Sequence, residues 1–344
     1  MSTPEMISQR IRVLIVEDSP TESLIIKRII ANAPGFEVVG TAANGEEGLD
    51  LLIRTKPDVV CTDYYMPTMN GLEFIKKATQ IYLCPILVLS AGVQSYQTDN
   101  IFNLLSAGAV DVIPKPIHGN ATIDEKKLLN KLKTLAKIGH TTLKSKITSS
   151  DPNHKKIEII GIGASTGGPQ AFEKILPELS ANLSAPIVCV QHMSLGFIHQ
   201  MAKWLDNLCK INVQVASDGT KPEPGHVYFA PDGYHLELDN NKNFKLVEKQ
   251  EDEEICPSVD HLFSSLASQY GSNAVAILLS GMGKDGAVGM RAVNYAGGIT
   301  IAQNQESSLI FGMPKAAIDA GATRYVLPLN EIPAKIIELG SHKA

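Results

Sequence analysis

Three polar residues end three apolar runs in the second half of the chain. Ser165 follows IEIIGIGA, His192 follows PIVCVQ, and Asp285 lies in LLSGMGKDGA. Ser165 sits in Gly163-Ala164-Ser165-Thr166-Gly167, a G-x-S-x-G string on a predicted strand-to-helix turn. That is the setting of a nucleophile elbow, where glycines permit a tight bend and close substrate approach. A serine hydroxyl is a weak nucleophile at neutral pH and needs a base. A histidine base in turn needs an orienting acid. His192 and Asp285 supply both if the three runs are strands of one parallel sheet. A helix starting at Pro169 would aim backbone N–H groups at developing negative charge. Asp260 is the next candidate for the acid.

Two other readings use the same residues. GIGASTGG also resembles the glycine-rich turn of a dinucleotide fold. Such a fold places an acid at the end of its second strand, where this chain has His192, and no Walker lysine follows the glycines. Alternatively, Ser165 caps a helix and His192 and Asp285 are loop residues, leaving a binding domain with a vestigial triad. Cys189, Met193 and Trp204 read as packing residues, and His226, His235 and His261 as histidines among polar neighbours.

The first third carries a different set. Glu17 and Asp18 end RVLIV, Asp63 ends PDVVCT, Ser90 ends PILVL, and Lys115 lies between Pro114 and Pro116. Three carboxylates brought together repel unless a cation joins them, and Mg²⁺ suits such an oxygen cluster. Lys115 adds a fixed positive charge and Ser90 a hydroxyl donor. The set is suited to accepting a phosphoryl group on a carboxylate. Capping explains each residue singly but not all of them at successive strand ends.

Such placement needs particular elements. Residues 10–137 alternate five strand signals with five helix signals, which predicts a flavodoxin-like, doubly wound (βα)5 domain. Ligands of an open parallel sheet bind outside the carboxyl ends of its strands. Residues 138–156 are polar and without apolar period, a predicted linker. Residues 157–344 repeat the α/β pattern and predict a doubly wound, mostly parallel sheet. Within it, YHLELDNNKNFKLVEK predicts a hairpin over an Asn-rich turn.

Composition narrows the class. The 344 residues are 44% hydrophobic and 19% charged, with a net charge of −5, which gives no basic bias toward nucleic acid. The five cysteines, Cys61, Cys84, Cys189, Cys209 and Cys256, form no CxxC pair, so neither a zinc site nor a disulfide framework is expected. No signal peptide and no membrane span are read, and a cytoplasmic protein without membrane insertion is expected.

From RVLIVEDSP through CTDYYMPTMNGLEF to DVIPKP, the first domain resembles a response-regulator receiver. The resemblance implies Asp63 as phosphoacceptor and Glu17 and Asp18 as the acidic pair. It implies Mg²⁺ held by Asp18, Asp63 and the Tyr65 carbonyl beside Glu17, with Ser90 and Lys115 touching the phosphoryl group. Val112 stands where many receivers carry an aromatic switch residue.

The second domain resembles the chemotaxis protein-glutamate methylesterases (the CheB family). The matching strings are GIGASTGGPQA, VCVQHM, GFIHQMAKWLD, DGTKPEPGHVYFAPDGYHLEL, PSVDHLFSSLA, LLSGMGKDGAVGM and AGGITIAQNQESSLIFGMPKAAIDAGA. The resemblance implies Ser165 as nucleophile, His192 as general base and Asp285 as its partner. Backbone N–H groups of Thr166 and Met282 would form the oxyanion hole, and the esterase would need no cofactor. Cys256 stands before Pro257, where relatives tend to carry arginine. The implied reaction is hydrolysis of glutamyl methyl esters on methyl-accepting chemotaxis receptors, and deamidation of glutamines by the same acyl chemistry. The implied phosphodonor is a chemotaxis histidine kinase.

Overall fold

The computed structural model describes residues 10–82, 84–90, 103–116, 121–136, 156–250 and 253–340, and of 121–124 the backbone course alone. The chain divides into two compact units, Met1–Thr141 and Thr142–Ala344. The predicted linker lies outside the described residues except for Lys156. So does the predicted helix over YQTDNIFNLLSAGA as far as residue 102, while residues 103–106 are helical.

In the first unit, five short apolar segments become strands: β1 (Ile11–Val16), β2 (Phe36–Ala42), β3 (Val59–Thr62), β4 (Ile86–Ser90) and β5 (Asp111–Pro114). They pair in parallel in the order β2-β1-β3-β4-β5. Helices α1 (Pro20–Asn32), α2 (Gly45–Thr55), α3 (Gly71–Ile81) and α4 (Ala121–Leu135) accompany them. Their starts are written in the sequence. Ser19, Asn44 and Asn70 cap the first three helices, each side chain accepting an N–H of the first turn. Strand order reverses between β1 and β3, the switch point where such sheets bind ligands. Val16 pairs with Thr62 there, so Glu17 and Asp63 emerge level.

The second unit has a seven-stranded sheet, parallel at every pairing, in the order β14-β13-β12-β6-β7-β9-β8. Its strands are β6 (Ile159–Ala164), β7 (Ile187–Gln191), β8 (Asn212–Val215), β9 (His226–Phe229), β12 (Ala274–Leu278), β13 (Ile299–Gln303) and β14 (Tyr325–Leu327). The hairpin β10 (Tyr234–Leu238) and β11 (Phe244–Glu248) forms a separate antiparallel sheet. The helices are α5 (Gly168–Ile175), α6 (Ile198–Leu208), α7 (Val259–Tyr270), α8 (Ala287–Tyr295), α9 (Met313–Asp319) and α10 (Ile332–Gly340). Strand β8 was not foreseen: NVQV is four residues long, alternates polar with apolar, and lies at the sheet edge with one side packed.

Helix α7 is pressed against the central strand. A Cβ on Gly163 would stand 2.3 Å from Val259 Cγ1, and one on Gly161 would stand 2.5 Å from Leu266 Cδ1. A larger residue at either position would collide with side chains of α7. Val259, Leu262, Phe263 and Leu266 fill this contact with Leu236 and Leu238 of the hairpin and Met290 and Val293 of α8. Burying these apolar side chains stabilises the unit by about 25 cal/mol per Å² of apolar area removed from water. It also fixes where the amino end of α7 falls.

Candidate active site

In the second unit, strand order reverses at β6, whose neighbours are β12 and β7. All three polar candidates emerge at that point. Ala164 pairs with Gln191, so Ser165 and His192 follow at the next register position, and the His192 N–H donates to the Ala164 carbonyl over 2.9 Å. On the other side the ladder runs past β12: Leu279 donates to Gly163, and Ser165 donates to Ser280 over 3.0 Å. The Gln191 amide donates to the carbonyls of both Ser165 and His192, at 2.8 Å each, and locks the two turns together.

Nε2 of His192 lies 2.8 Å from Oδ2 of Asp285. The carboxylate is otherwise saturated. It accepts from the Ser258 hydroxyl at 2.8 Å, from the Val259 and Asp260 N–H groups at 2.7 and 3.0 Å, and from its neighbour Gly286 at 3.0 Å. Three of these donors belong to the start of α7, where backbone N–H groups have no helical partner. Burial pushes the Asp285 carboxyl up, but the bonds from His192, Val259 and Ser258 outweigh it and hold the pKa down at about 2. The acid is ionised, rigid and aimed at the imidazole. With Nε2–H given to Asp285, the lone pair is on Nδ1.

The Ser165 hydroxyl makes no hydrogen bond among the described residues, and the residue is 8% exposed. Catalytic bonds to the nucleophile often tighten only with substrate present. Gly281 abuts it: a Cβ there would stand 2.9 Å from Ser165 Cβ. Of the two residues expected at the oxyanion hole, Thr166 is buried and its carbonyl accepts from the Ser280 hydroxyl at 2.8 Å. Met282 follows Gly281 and is 38% exposed. Asp260 points elsewhere, accepting the Gly289 N–H at 2.7 Å. Burial and the Asp285 charge raise its pKa.

The first unit gathers its own charges. Nζ of Lys115, nearly buried, reaches Glu17 at 2.8 Å, Glu22 at 2.5 Å and Asp63 at 2.9 Å. Burial opposes the ammonium charge, but its bonds to the three carboxylates prevail and raise its pKa. Burial lifts Glu17 to about 7 and also raises Asp63, against the pull of Lys115. The Lys115 N–H donates to the Ser90 carbonyl at 2.7 Å, so both come to this edge. Ligand atoms of Glu17, Asp18 and Asp63 all lie within 4.8 Å of one another. Those clustered oxygens, one on an exposed Asp18, fit a hard divalent cation. Tyr65 lies in the loop just after Asp63 and is half exposed. Val112 is buried on β5.

Sequence reasoning missed Ser258 and Glu22. Ser258 was legible as a helix cap, but nothing local says that its hydroxyl serves Asp285. Glu22 reads as an acid in the first turn of α1, favoured there by the helix dipole alone.

The second unit matches a family model described as CheB methylesterase over residues 160–336, and the first matches one described as response regulator receiver domain over residues 13–126. The chain is 36% identical over 348 residues to a protein-glutamate methylesterase/protein-glutamine glutaminase of Syntrophus aciditrophicus, spanning 97% of this chain and 99% of the relative. It is 38% identical over 346 residues to that of Thermotoga maritima, spanning 97% of this chain and 100% of the relative. Among solved structures, the Thermotoga maritima CheB methylesterase catalytic domain aligns with a TM-score of 0.52 at 42% identity, covering 54% of this chain and all of that one. The chain belongs to the CheB methylesterase family, with a response regulator receiver domain ahead of the hydrolase.

Proposed function

We propose that this protein is a phosphorylation-regulated serine hydrolase that removes methyl esters from glutamates of chemoreceptors, with Ser165, His192 and Asp285 as its triad. The observation that carries the reading is the 2.8 Å contact between His192 Nε2 and an Asp285 carboxylate held by the amino end of a helix. The Ser165 hydroxyl attacks the ester carbonyl carbon while Nδ1 of His192 takes its proton. Negative charge gathers on the carbonyl oxygen, where the N–H groups of Thr166 and Met282 receive it. The imidazolium, stabilised by Asp285, returns the proton to the departing methoxide, and methanol leaves. Water then attacks the acyl-serine with His192 again as base, freeing glutamate and Ser165. A glutamine side chain follows the same course with ammonia as the leaving group. The esterase needs no cofactor.

In the receiver, Asp63 accepts the phosphoryl group from a chemotaxis histidine kinase. Asp18, Asp63 and the Tyr65 carbonyl, beside Glu17, would hold Mg²⁺, which when bound supplies positive charge to the phosphoryl oxygens. Lys115 and Ser90 would contact those oxygens too. Receptor signalling helices and kinase place the reaction in the cytoplasm. Among the described residues no helix is long and apolar enough to cross a membrane.

The test is methanol release from methylated receptor by the purified chain, together with labelling by a serine-reactive fluorophosphonate. Both are expected, and both should disappear in Ser165→Ala. Labelling elsewhere, or methanol release that survives the substitution, removes Ser165 from the mechanism.

A further inference from the structure

Beside the triad, four ionisable side chains touch in series. His235 on β10 is fully buried. Its ring stacks on that of His261 of α7, with centroids 3.9 Å and planes 16° apart. Nε2 of His235 lies 2.9 Å from one Glu253 oxygen, and Nε2 of His261 lies 3.0 Å from the other. Nδ1 of His261 lies 2.8 Å from Glu237. Two imidazoles around a carboxylate look like a metal-ligand set. The direction of one hydrogen bond speaks against that use. The Ser258 N–H points at Nδ1 of His235 over 3.1 Å, and a backbone N–H can only donate. Nδ1 therefore carries the lone pair, and in the neutral ring Nε2 carries the proton. That proton goes to Glu253, so Nε2 has no lone pair to offer a cation.

The consequence lies on the Ser258 side. Ser258 caps α7. Its N–H is spent on His235, and its hydroxyl is spent on Asp285. The next two N–H groups also end on Asp285. One peptide thus joins the buried histidine to the acid of the triad. We propose that His235 is a positioning residue for the hydrolase: its Nδ1 accepts the Ser258 N–H, its Nε2–H is anchored on Glu253, and the first turn of α7 is thereby set so that Asp285 is held against His192.

This inference rests on the serine-hydrolase reading above. Without the acceptor, the Ser258 N–H is buried and unpaired, a costly state. Rotation of the capping peptide relieves it and draws the Ser258 hydroxyl and the following N–H groups away from Asp285. His261 supports the arrangement. Burial draws its imidazole toward neutrality, but its bonds to Glu237 and Glu253 prevail and raise its pKa. The same two carboxylates hold the His261 ring in place against that of His235.

Two substitutions in the full chain separate positioning from bulk packing. His235→Gln keeps a donor near Nε2 and loses the acceptor at Nδ1. His235→Asn sets an amide oxygen near Nδ1. The expected result for His235→Gln is a loss of kcat of about 10- to 100-fold, the scale of a small misplacement of a catalytic group, with KM little changed. Ring ¹⁵N spectra should show His192 losing its single Nε2–H tautomer. His235→Asn should recover about tenfold of the lost rate and the tautomer. Equal losses in both variants, or a wild-type His192 tautomer in His235→Gln, overturn the proposal. Should His235→Gln not fold, Glu253→Ala frees the Nε2–H end from a partly exposed site, and an unaltered His192 tautomer there overturns it as well. The tautomer is read without substrate, so a wild-type chain that releases no methanol sinks the hydrolase reading while the spectra still decide the positioning.

Discussion

Nε2 of His192, rather than Nδ1, faces Asp285, at 2.8 Å from Oδ2. In the proposed mechanism Nδ1 is thus the atom left to take the proton of Ser165. The carboxylate fixes both the tautomer and the ring plane, and its own orientation is fixed by donors from α7. Asp285→Asn leaves an amide that must turn its oxygen toward those donors and its NH₂ toward the ring. His192 is then offered a donor, which favours the wrong tautomer. Turnover should fall by about 10³–10⁴-fold with KM little altered. Methanol-release kinetics check this, and a variant within tenfold of wild type would transfer the role to another acid.

Asp260, the alternative acid, is turned away from His192. Asp260 gives its oxygen to the Gly289 N–H at the start of α8. Asp260→Asn keeps that acceptor and removes a charge whose pKa burial and Asp285 have raised. The expected loss of rate is below about fivefold, the range of a substitution that breaks no catalytic contact. A loss matching that of Asp285→Asn would show that the two acids act as a pair.

The same carboxylate ties stability to pH. Its pKa is about 2 when folded, against an ordinary value of 3.8. A depressed pKa means that the folded state binds the proton less readily than the unfolded chain. The stabilisation is therefore complete above about pH 4 and is lost as pH falls toward 2. A shift of that size corresponds to about 2 kcal/mol. Urea titrations of wild type and Asp285→Asn should differ at pH 6 and converge as pH approaches 2. A gap that stays constant across that range would mean that the ionised carboxylate contributes nothing.

Much of this was legible because a parallel sheet exposes one residue type at one place. An apolar run that stops at Ser165 or His192 says where the strand ends, and parallel neighbours bring those ends together. The sequence favoured Asp285, in a glycine-rich loop after an apolar strand, over Asp260, but did not show how the two carboxyls point. Both lie near the amino end of a helix, and that Asp285 meets His192 while Asp260 turns to the Gly289 N–H is a tertiary fact. His235 was passed over for a similar reason. Alternation along YHLEL puts it on one face with Glu237, but that this face meets His261 is a tertiary fact. Strand β8 was lost because four residues at an edge carry too little hydrophobic signal.

In the receiver, the telling contact is one that the sequence did not announce. Lys115 has three N–H donors, and Glu17, Glu22 and Asp63 surround them. In the proposed phosphorylation of Asp63, Lys115 must give up part of this shell to reach the new oxygens. Glu22 is the one of the three outside the acidic cluster around Asp18, and so the partner whose hold on Lys115 opposes phosphorylation without helping the cation. Glu22→Gln weakens that hold by about 1 kcal/mol, the scale of one charge-assisted bond at a partly exposed site. With acetyl phosphate and Mg²⁺, esterase activity should then rise about fivefold faster than in wild type. Asp63→Asn should show no rise at all. Lys115→Ala should slow the rise and also destabilise the receiver by about 3–5 kcal/mol in Mg²⁺-free buffer, because the buried carboxylates lose their shared counter-charge. A time course of methanol release after adding acetyl phosphate reads the rates, and urea unfolding reads the stability. Activation of Asp63→Asn at the wild-type rate would remove Asp63 as the switch, and a Glu22→Gln rate equal to wild type would remove Glu22 from the control of Lys115.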